Sequence, residues 1–564
     1  MRATWRESCG SAIRRSVAAN GSRAPVWRAP VGRARFTTIE AARAPEGGRG
    51  LQSQPPVASG RNPRGRRHLL RLLPLLVLAA CSAGEDTGPR ELSACEPLVA
   101  TEARPRSVVL VLGDTLRRDR LGAYGGPART PAFDRFAEGA LLFDAAVTQA
   151  PWTKPAIATL FSGLYPSQHG VVSHPDLRGK RGGSSVASDV LPDEVITLAE
   201  ALSAAGYRTA AIVSNPWLRS DLGFAQGFEH FDAHLASNTA PGKRVTAAAR
   251  RWLDELPDDG RPFFLYVHYM DPHAPYTPVE DTVLEAQRAL LEADARPMTP
   301  RARAMIRRVA RDGRGRPWAK RGVAPSLALM ELVYDQGVER FDRGLGDLLA
   351  SLDRREDAEE LAILVTSDHG EALYERGWGG HGHGLHEEET GIPLAARLPG
   401  TGPPKRTGCP TGLIDVRASL CAYLGVECPG PDAGRSWFAP EASARVVVTE
   451  GVIAQPAHRS ARDRRYKLVS EPGGGVGLEK PRQRLPKAEP LSLFDLAADP
   501  GESRDLLPAI GEDPQLGEIV ARLRRELAEG IPAAPDWARE ERALDPETRK
   551  RLEALGYLGA DPVE

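Results

Sequence analysis

Polar side chains with metal-binding chemistry stand just after short apolar runs in this chain. Asp114 follows the run 108–112, Asp368 and His369 follow 361–365, and His268, Asp271 and His273 follow 263–267. Asn215 follows a fourth run at 210–213. Taken singly, each of these residues suits a loop or a cap. Taken together, Asp114, Asp368 and His369 offer the oxygen and nitrogen donors that a divalent cation takes, and they are the candidate metal ligands. The donor types leave Ca, Zn, Mn and Mg open. Thr153 lies just ahead of Pro155 and the apolar stretch that follows it. Proline in a first turn favours a helix start there. The N–H groups and dipole of such a start attract an anion. A hydroxyl at that point, ionised by a bound cation, would attack a phosphorus or sulfur centre. Capping the helix is the other role open to Thr153.

These residues need elements that bring them together. The run 108–112 is continuously apolar, the pattern of a strand buried on both faces. The runs at 210–213, 263–267 and 361–365 are read the same way. Helical stretches fall near 131–139, 155–163 and 194–205. Strands separated by helices predict an α/β fold, a large, mostly parallel sheet sandwiched by helices. Ligands of such sheets gather beyond the carboxyl ends of the strands, where the polar residues above are placed.

The motifs then resemble those of the sulfatase family, within the alkaline phosphatase superfamily. Asp114-Thr115-Leu116-Arg117-Arg118-Asp119-Arg120-Leu121-Gly122-Ala123-Tyr124-Gly125 is similar to the family's opening motif. Ala150-Pro151-Trp152-Thr153-Lys154-Pro155 leads to Ser162-Gly163-Leu164-Tyr165-Pro166, as in the family. Asp271-Pro272-His273 and Thr366-Ser367-Asp368-His369-Gly370-Glu371 look like its later motifs. Arg465-Tyr466-Lys467-Leu468 and Leu493-Phe494-Asp495-Leu496 resemble its C-terminal strands, so the likeness runs over about 106–507 in order. The resemblance implies an alkaline phosphatase-like sheet with a smaller C-terminal α+β subdomain. It implies that Asp114, Asp368 and His369 bind the cation and that Thr153 sits at the nucleophile position. His273 would contact the anion or protonate the leaving group, and His381 would be a basic residue near the substrate. His383 and His386 are close enough in sequence to compete with His381. Lys154, Asn215 and His383 are the expected substrate contacts. The loop 379–384 also reads as a flexible loop with surface histidines.

Two departures from the family matter. Sulfatases carry a Cys or Ser in a C/S-x-P-x-R context, converted to formylglycine. Here the string is Thr153-Lys154-Pro155-Ala156-Ile157, and a threonine cannot become that aldehyde. Thr115 stands where the family has a second Asp. Both changes point toward superfamily members with a Thr nucleophile. The expected function is metal-dependent hydrolysis of sulfate or phosphate esters, with an anionic ester, a glycan or a lipid headgroup, as substrate. A phosphoalcohol transferase and a non-catalytic, sulfatase-like glycan binder are the alternatives.

The chain has 564 residues, enough for one large α/β enzyme with a smaller appendage. Lys+Arg and Asp+Glu are each 74, but residues 1–80 hold fifteen Arg, no Lys and three acids. The first eighty residues therefore carry +12 and the remainder −12, which excludes a nucleic-acid-binding protein with a basic body. Residues 1–60 have no helical or strand period and read as disordered or untranslated. Residues 61–81 read as a secretory leader, with arginines, an apolar run at 72–80 and Leu78-Ala79-Ala80-Cys81. That ending resembles a bacterial lipoprotein box, which would lipidate Cys81 and anchor the protein in the cell envelope; an ordinary leader with an incidental Cys is the other reading. Because the leader lies so far into the chain, translation is expected to start near Val57. Residues 82–105 read as a tether. Cys95, Cys409, Cys421 and Cys428 remain for the body, with Cys421 and Cys428 close enough to pair.

Residues 106–400 are the expected catalytic domain, interrupted by a basic insert at 281–330. Nine Arg and Lys against Asp312 alone crowd 301–321, which reads either as a solvated helix face or as a surface for lipid headgroups or acidic glycans. Residues 401–510 are the expected C-terminal subdomain with a few antiparallel strands. Residues 511–564 read as a helical tail, with Leu552, Leu555 and Leu558 packing on the body.

Overall fold

A computed structural model describes residues 92–99, 106–172, 187–235, 242–276, 279, 281–310, 322–403, 405–440, 445–451, 458–470 and 491–554. The extension 1–60, the leader with Cys81, and Leu555 and Leu558 lie outside the described residues, as do Arg311, Arg314, Arg316, Lys320 and Arg321.

Eight strands form the main sheet: β1 (Val108–Gly113), β2 (Leu141–Phe143), β3 (Arg208–Val213), β4 (His230–Asp232), β5 (Phe263–Tyr269), β6 (Ala362–Thr366), β7 (Leu394–Arg397) and β8 (Arg406–Thr407). Their order is β8-β2-β7-β6-β1-β5-β3-β4. The block β6-β1-β5-β3-β4 is parallel throughout. β7 runs antiparallel to both β6 and β2. The four expected strands are β1, β3, β5 and β6, and they are contiguous in the sheet. Their apolar runs are continuous because both faces are covered. Val108, Leu110 and Leu112 pack with the helices Thr153–Ser162, Leu198–Ala204 and Asp415–Leu424. Val109 and Val111 point the other way, onto Pro131–Glu138, Gly242–Asp254 and Leu327–Leu352.

A second sheet is a four-stranded antiparallel meander, β9 (Val447–Glu450), β10 (Arg459–Arg462), β11 (Tyr466–Ser470) and β12 (Leu491–Asp495). The helix Pro514–Glu529 covers it through Leu516, Val520 and Leu523, which meet Ala461, Leu468 and Leu493. Lys467 and Arg462 of this sheet each reach a Glu387 carboxylate oxygen at 3.2 Å and so tie it to the main body.

The boundary expected at 400 falls inside one packed unit. β8 is the edge strand of the main sheet, and Val416, Leu420 and Leu424 lie in the same core as β1. Residues 92–99, expected within a tether, are fixed instead. Cys95 is disulfide-bonded to Cys409, Leu98 N–H donates to the Trp437 carbonyl at 2.9 Å, and Gly408 N–H donates to Ala94 O at 2.9 Å. Cys421 and Cys428 form the second disulfide. Leu552 is buried in the main core. Among the described residues no helix is long and apolar enough to cross a membrane.

Candidate active site

Because β6, β1, β5 and β3 are parallel neighbours, their carboxyl ends share one edge, and Asp368 with His369, Asp114, His268 and Asn215 converge there. All five are fully buried. Asp114, Asp368 and His369 each present a donor atom, and the three atoms lie within 4.8 Å of one another. Asp114 Oδ2 accepts from Asn215 Nδ2 at 2.7 Å and meets His268 Nε2 at 2.9 Å. Asp368 Oδ1 accepts from the N–H groups of His369 at 2.9 Å and Thr115 at 3.1 Å. The other oxygens, Asp114 Oδ1 and Asp368 Oδ2, are buried without a hydrogen-bond donor.

The geometry fits a cation. His369 Nδ1 lies 2.8 Å from the Gly370 carbonyl, which can only accept, so Nδ1 carries the proton and Nε2 presents a lone pair. That lone pair faces Asp368 Oδ2 at 3.3 Å, an arrangement that repels unless positive charge sits between the two. Burial pushes the His369 imidazole down to about 4, which keeps it neutral. Burial, with the Asp114 charge second, raises the Asp368 carboxyl to about 7. Burial also opposes the charge on Asp114, but His273, His268 and His369 outweigh it and hold this carboxyl low. Two buried carboxylates, two orphaned oxygens and a neutral imidazole are what a divalent ion resolves.

Local backbone choices aim these groups inward. Gly370 lets the chain turn after His369, since a Cβ there would overlap the Glu388 carbonyl. Thr115 has φ +57°, a left-handed conformation costly for a β-branched residue. It is held by the Tyr334 hydroxyl, which donates to its carbonyl at 2.6 Å, and by its own N–H on Asp368. The Thr115 hydroxyl turns back onto the Asp114 carbonyl at 2.7 Å.

Thr153 is the first residue of the helix Thr153–Ser162. The capping position belongs to Trp152, so the alternative role of Thr153 as cap does not hold. Its Oγ1 lies 3.3 Å from His369 Nε2, 3.4 Å from Asp114 Oδ2 and 3.5 Å from Asn215 Nδ2. Ile157, where the family has arginine, is buried in the core one turn along the same helix.

The histidines divide into three groups. The His381 ring stands 4.4 Å from His369 and 5.2 Å from His273, which places both beside the cluster. His383 holds the loop through its own N–H, which donates to Glu389 Oε2 at 3.0 Å, and burial lowers its imidazole to about 4. His386 is drawn off to Glu502 at 3.3 Å and packs on Phe494, so it does not compete with His381. Lys154 Nζ donates to Ser188 Oγ at 2.5 Å and the Asp189 carbonyl at 2.8 Å, both in the short strand Ala187–Asp189. Asp271 lies outside the ligand trio, and its Oδ1 accepts the Gly242 N–H at 3.1 Å, where the helix Gly242–Asp254 begins.

Two groups at the site were missed as site residues. Glu371 Oε2 lies 2.7 Å from His381 Nδ1, and Tyr266 Oη meets His268 Nδ1 at 2.8 Å. Burial raises Glu371, but His381 and His273 prevail and hold its carboxyl below the usual range. Glu371 closes the Asp-His-Gly-Glu string already quoted as a motif, and that position was the available signal.

The Sulfatase family model matches residues 106–426. Among curated relatives, the mouse (Mus musculus) steryl-sulfatase is 27% identical over 416 residues, covering 60% of this chain and 65% of that protein. A Δ4,5-hexuronate-2-O-sulfatase of Bacteroides thetaiotaomicron is 21% identical over 497 residues, covering 83% and 96%. Among solved structures, a protein in complex with its substrate D-glucosamine-2-N,6-O-disulfate superposes with TM-score 0.57 at 16% identity, covering 76% of this chain and 99% of that one. The phosphonate monoester hydrolase of Agrobacterium radiobacter superposes with TM-score 0.54 at 20% identity, covering 78% and 100%. With the family motifs in order on this sheet, the chain belongs to the sulfatase family of ester hydrolases.

Proposed function

We propose that this protein is a metal-dependent hydrolase of sulfate or phosphate esters that uses Thr153 as its nucleophile. The observation that carries the reading is the position of Thr153 Oγ1, at a helix start and within 3.5 Å of Asp114, His369 and Asn215. Asp114, Asp368 and His369 would hold the cation. A divalent ion supplies Lewis acidity, lowering the pKa of a neighbouring hydroxyl and neutralising an anionic ester oxygen.

The chain's own residues do the rest. Asn215 Nδ2 and the first N–H groups of the helix Thr153–Ser162 orient and stabilise the anionic oxygens. Asp114 is held as the carboxylate, so the Thr153 hydroxyl would give up its proton to solvent when the cation is bound. Oγ1 then bonds to phosphorus or sulfur as the bond to the ester oxygen breaks. His381, oriented by Glu371, gives a proton to the departing alcohol, with His273 alongside. Water next attacks the esterified Thr153. The water's proton passes to His381, replacing the one it gave up, the bond to Oγ1 breaks, Oγ1 takes a proton back from solvent, and the free anion leaves. An acceptor alcohol in place of water would make the reaction a transfer.

The envelope placement belongs to the same proposal. The run 72–80 before Cys81 supports a lipid anchor, and two disulfides suit an oxidising compartment.

The test is a panel of aryl sulfate, aryl phosphate and aryl phosphonate monoester, given to the purified protein with added divalent metals. Turnover that needs metal and falls about a thousandfold in Thr153→Ala is expected. Activity retained in Thr153→Ala overturns the nucleophile. Silence on all three, with a metal-free protein, would leave a glycan binder.

A further inference from the structure

The helix Pro300–Val309 carries Arg301, Arg303, Arg307 and Arg308. All four side chains are exposed, while Ala302 and Ile306 are buried on the opposite face. At 3.6 residues per turn, Arg301 and Arg308 share one flank about 10 Å apart along the axis, and Arg303 and Arg307 share the other. Among the described residues, none of the four makes an ion pair or a hydrogen bond. Other arginines of this body are bonded to carboxylates, as Arg117 is to Asp119, Arg296 to Glu331 and Arg376 to Glu388. The first turn holds no acidic residue, so Arg301 stands at the positive end of the helix dipole. Helix stability does not account for its position.

The N-terminal end of this helix abuts the site loop. Thr299 Cγ2 lies 3.5 Å from where a Cβ on Gly377 would stand. Gly377 precedes Gly379–Gly380 and His381, whose ring touches His369. The Arg301 charge bears on the Tyr374 phenol and the His383 imidazole of the same segment. Thr153 and the metal ligands are fully buried. A substrate larger than its ester group would therefore leave its remainder outside the buried cluster.

We propose that the arginine face of Pro300–Val309 is a polyanion-binding surface beside the site, holding the flanking anionic groups of an acidic polysaccharide whose ester group reaches Thr153. The proposal rests on the ester-hydrolase reading and names its substrate class. A polysaccharide is favoured over an acidic bilayer because Arg301, the first of the four, stands at the helix end beside the histidine loop, where a substrate chain would pass.

The experiment uses the full chain and the variant Arg301→Gln/Arg303→Gln/Arg307→Gln/Arg308→Gln. A control carries Arg524→Gln/Arg525→Gln on the helix Pro514–Glu529, which packs on the second sheet. Retention on immobilised dextran sulfate, against salt, reads binding without turnover. KM on a sulfated polysaccharide and on a short aryl ester reads catalysis. The expected result is retention lost at a lower salt concentration and a polysaccharide KM raised about tenfold, with the aryl ester unchanged and the control behaving as the parent. Unchanged retention overturns the proposal. So does an equal fall on both substrates, or loss of binding to phosphatidylglycerol vesicles with dextran sulfate binding intact. Absence of turnover on every ester strikes the hydrolase reading instead, and the retention arm still decides the surface.

Discussion

Glu371 Oε2 lies 2.7 Å from His381 Nδ1, and the other oxygen of the same carboxylate receives the Tyr276 hydroxyl at 2.5 Å. In the proposed mechanism this carboxylate orients the ring so that Nε2 would exchange the proton with substrate. It also stabilises the imidazolium needed to protonate a departing alcohol. Glu371→Gln keeps the shape and removes that charge. We expect kcat on an alkyl ester, whose leaving group needs the proton, to fall about ten- to a hundredfold. Turnover of a nitrophenyl ester, whose leaving group departs unaided, should change little. Steady-state kinetics on the two esters checks this. Equal losses on both would place Glu371 in metal retention instead of proton transfer.

Asp368 has an opposite role with and without the ion. In the metal-free protein its charge opposes that of Asp114 in a dry site, and burial with that opposition lifts its carboxyl to about 7. Asp368→Asn removes the repulsion together with a ligand. The metal-free variant is therefore expected to unfold at or above the temperature of the metal-free parent. Saturating metal stabilises the parent by about 2.7 kcal/mol when the ion is present at a hundredfold over its Kd, and leaves the variant unmoved. Thermal unfolding with chelator and with each divalent ion reads both effects. A variant destabilised without metal would show that Asp368 Oδ1, which receives the Thr115 and His369 N–H groups, matters more than the repulsion.

The strand ends were legible because a parallel strand covered on both faces leaves an unbroken apolar run, and the first polar residues after it fall on one edge. Asp114, Asn215, His268, Asp368 and His369 were all placed that way. Thr153 was legible through Pro155, although the cap turned out to be Trp152. Groups whose meaning depends on distant chain were not. The hydrogen bonds from Lys154 to Ser188 and Asp189 join it to chain more than thirty residues on, which no local spacing announces. β7 lies antiparallel between β6 and β2, and its four residues carry too little pattern to announce that insertion. The Cys95–Cys409 bond spans 314 residues, and no local spacing predicts it.

That disulfide fixes 92–99 against β8 and touches none of the site residues. Cys95→Ser/Cys409→Ser is expected to lower stability by about 2–4 kcal/mol, mainly through a freer unfolded chain. Activity at 25 °C should stay within about twofold of the parent, because Asp114, Asp368 and Thr153 keep their partners. Denaturant unfolding and a standard assay test the two halves separately. A matched loss of activity would mean that the sheet edge at β8 and the carboxyl ends of β1 and β6 move together.

Glu389 gives a pH test away from the cluster. It accepts N–H groups from Trp378 at 3.1 Å and from His383 and Gly384 at 3.0 Å, pinning the histidine loop. Burial outweighs these bonds and raises its carboxyl from 4.5 to about 8. Between those two values the native state binds one proton more than the unfolded chain. Stability from this group is therefore lost as pH rises through that window, by about 1.4 kcal/mol per pH unit at most. Glu389→Gln removes the titration but turns an amide toward donors, so it starts less stable than the parent at pH 5. Its deficit should shrink steadily toward pH 8, as read by urea unfolding at intervals across the window. A deficit that stays constant would show Glu389 ionised in the folded protein, with the three N–H groups outweighing burial in setting its charge.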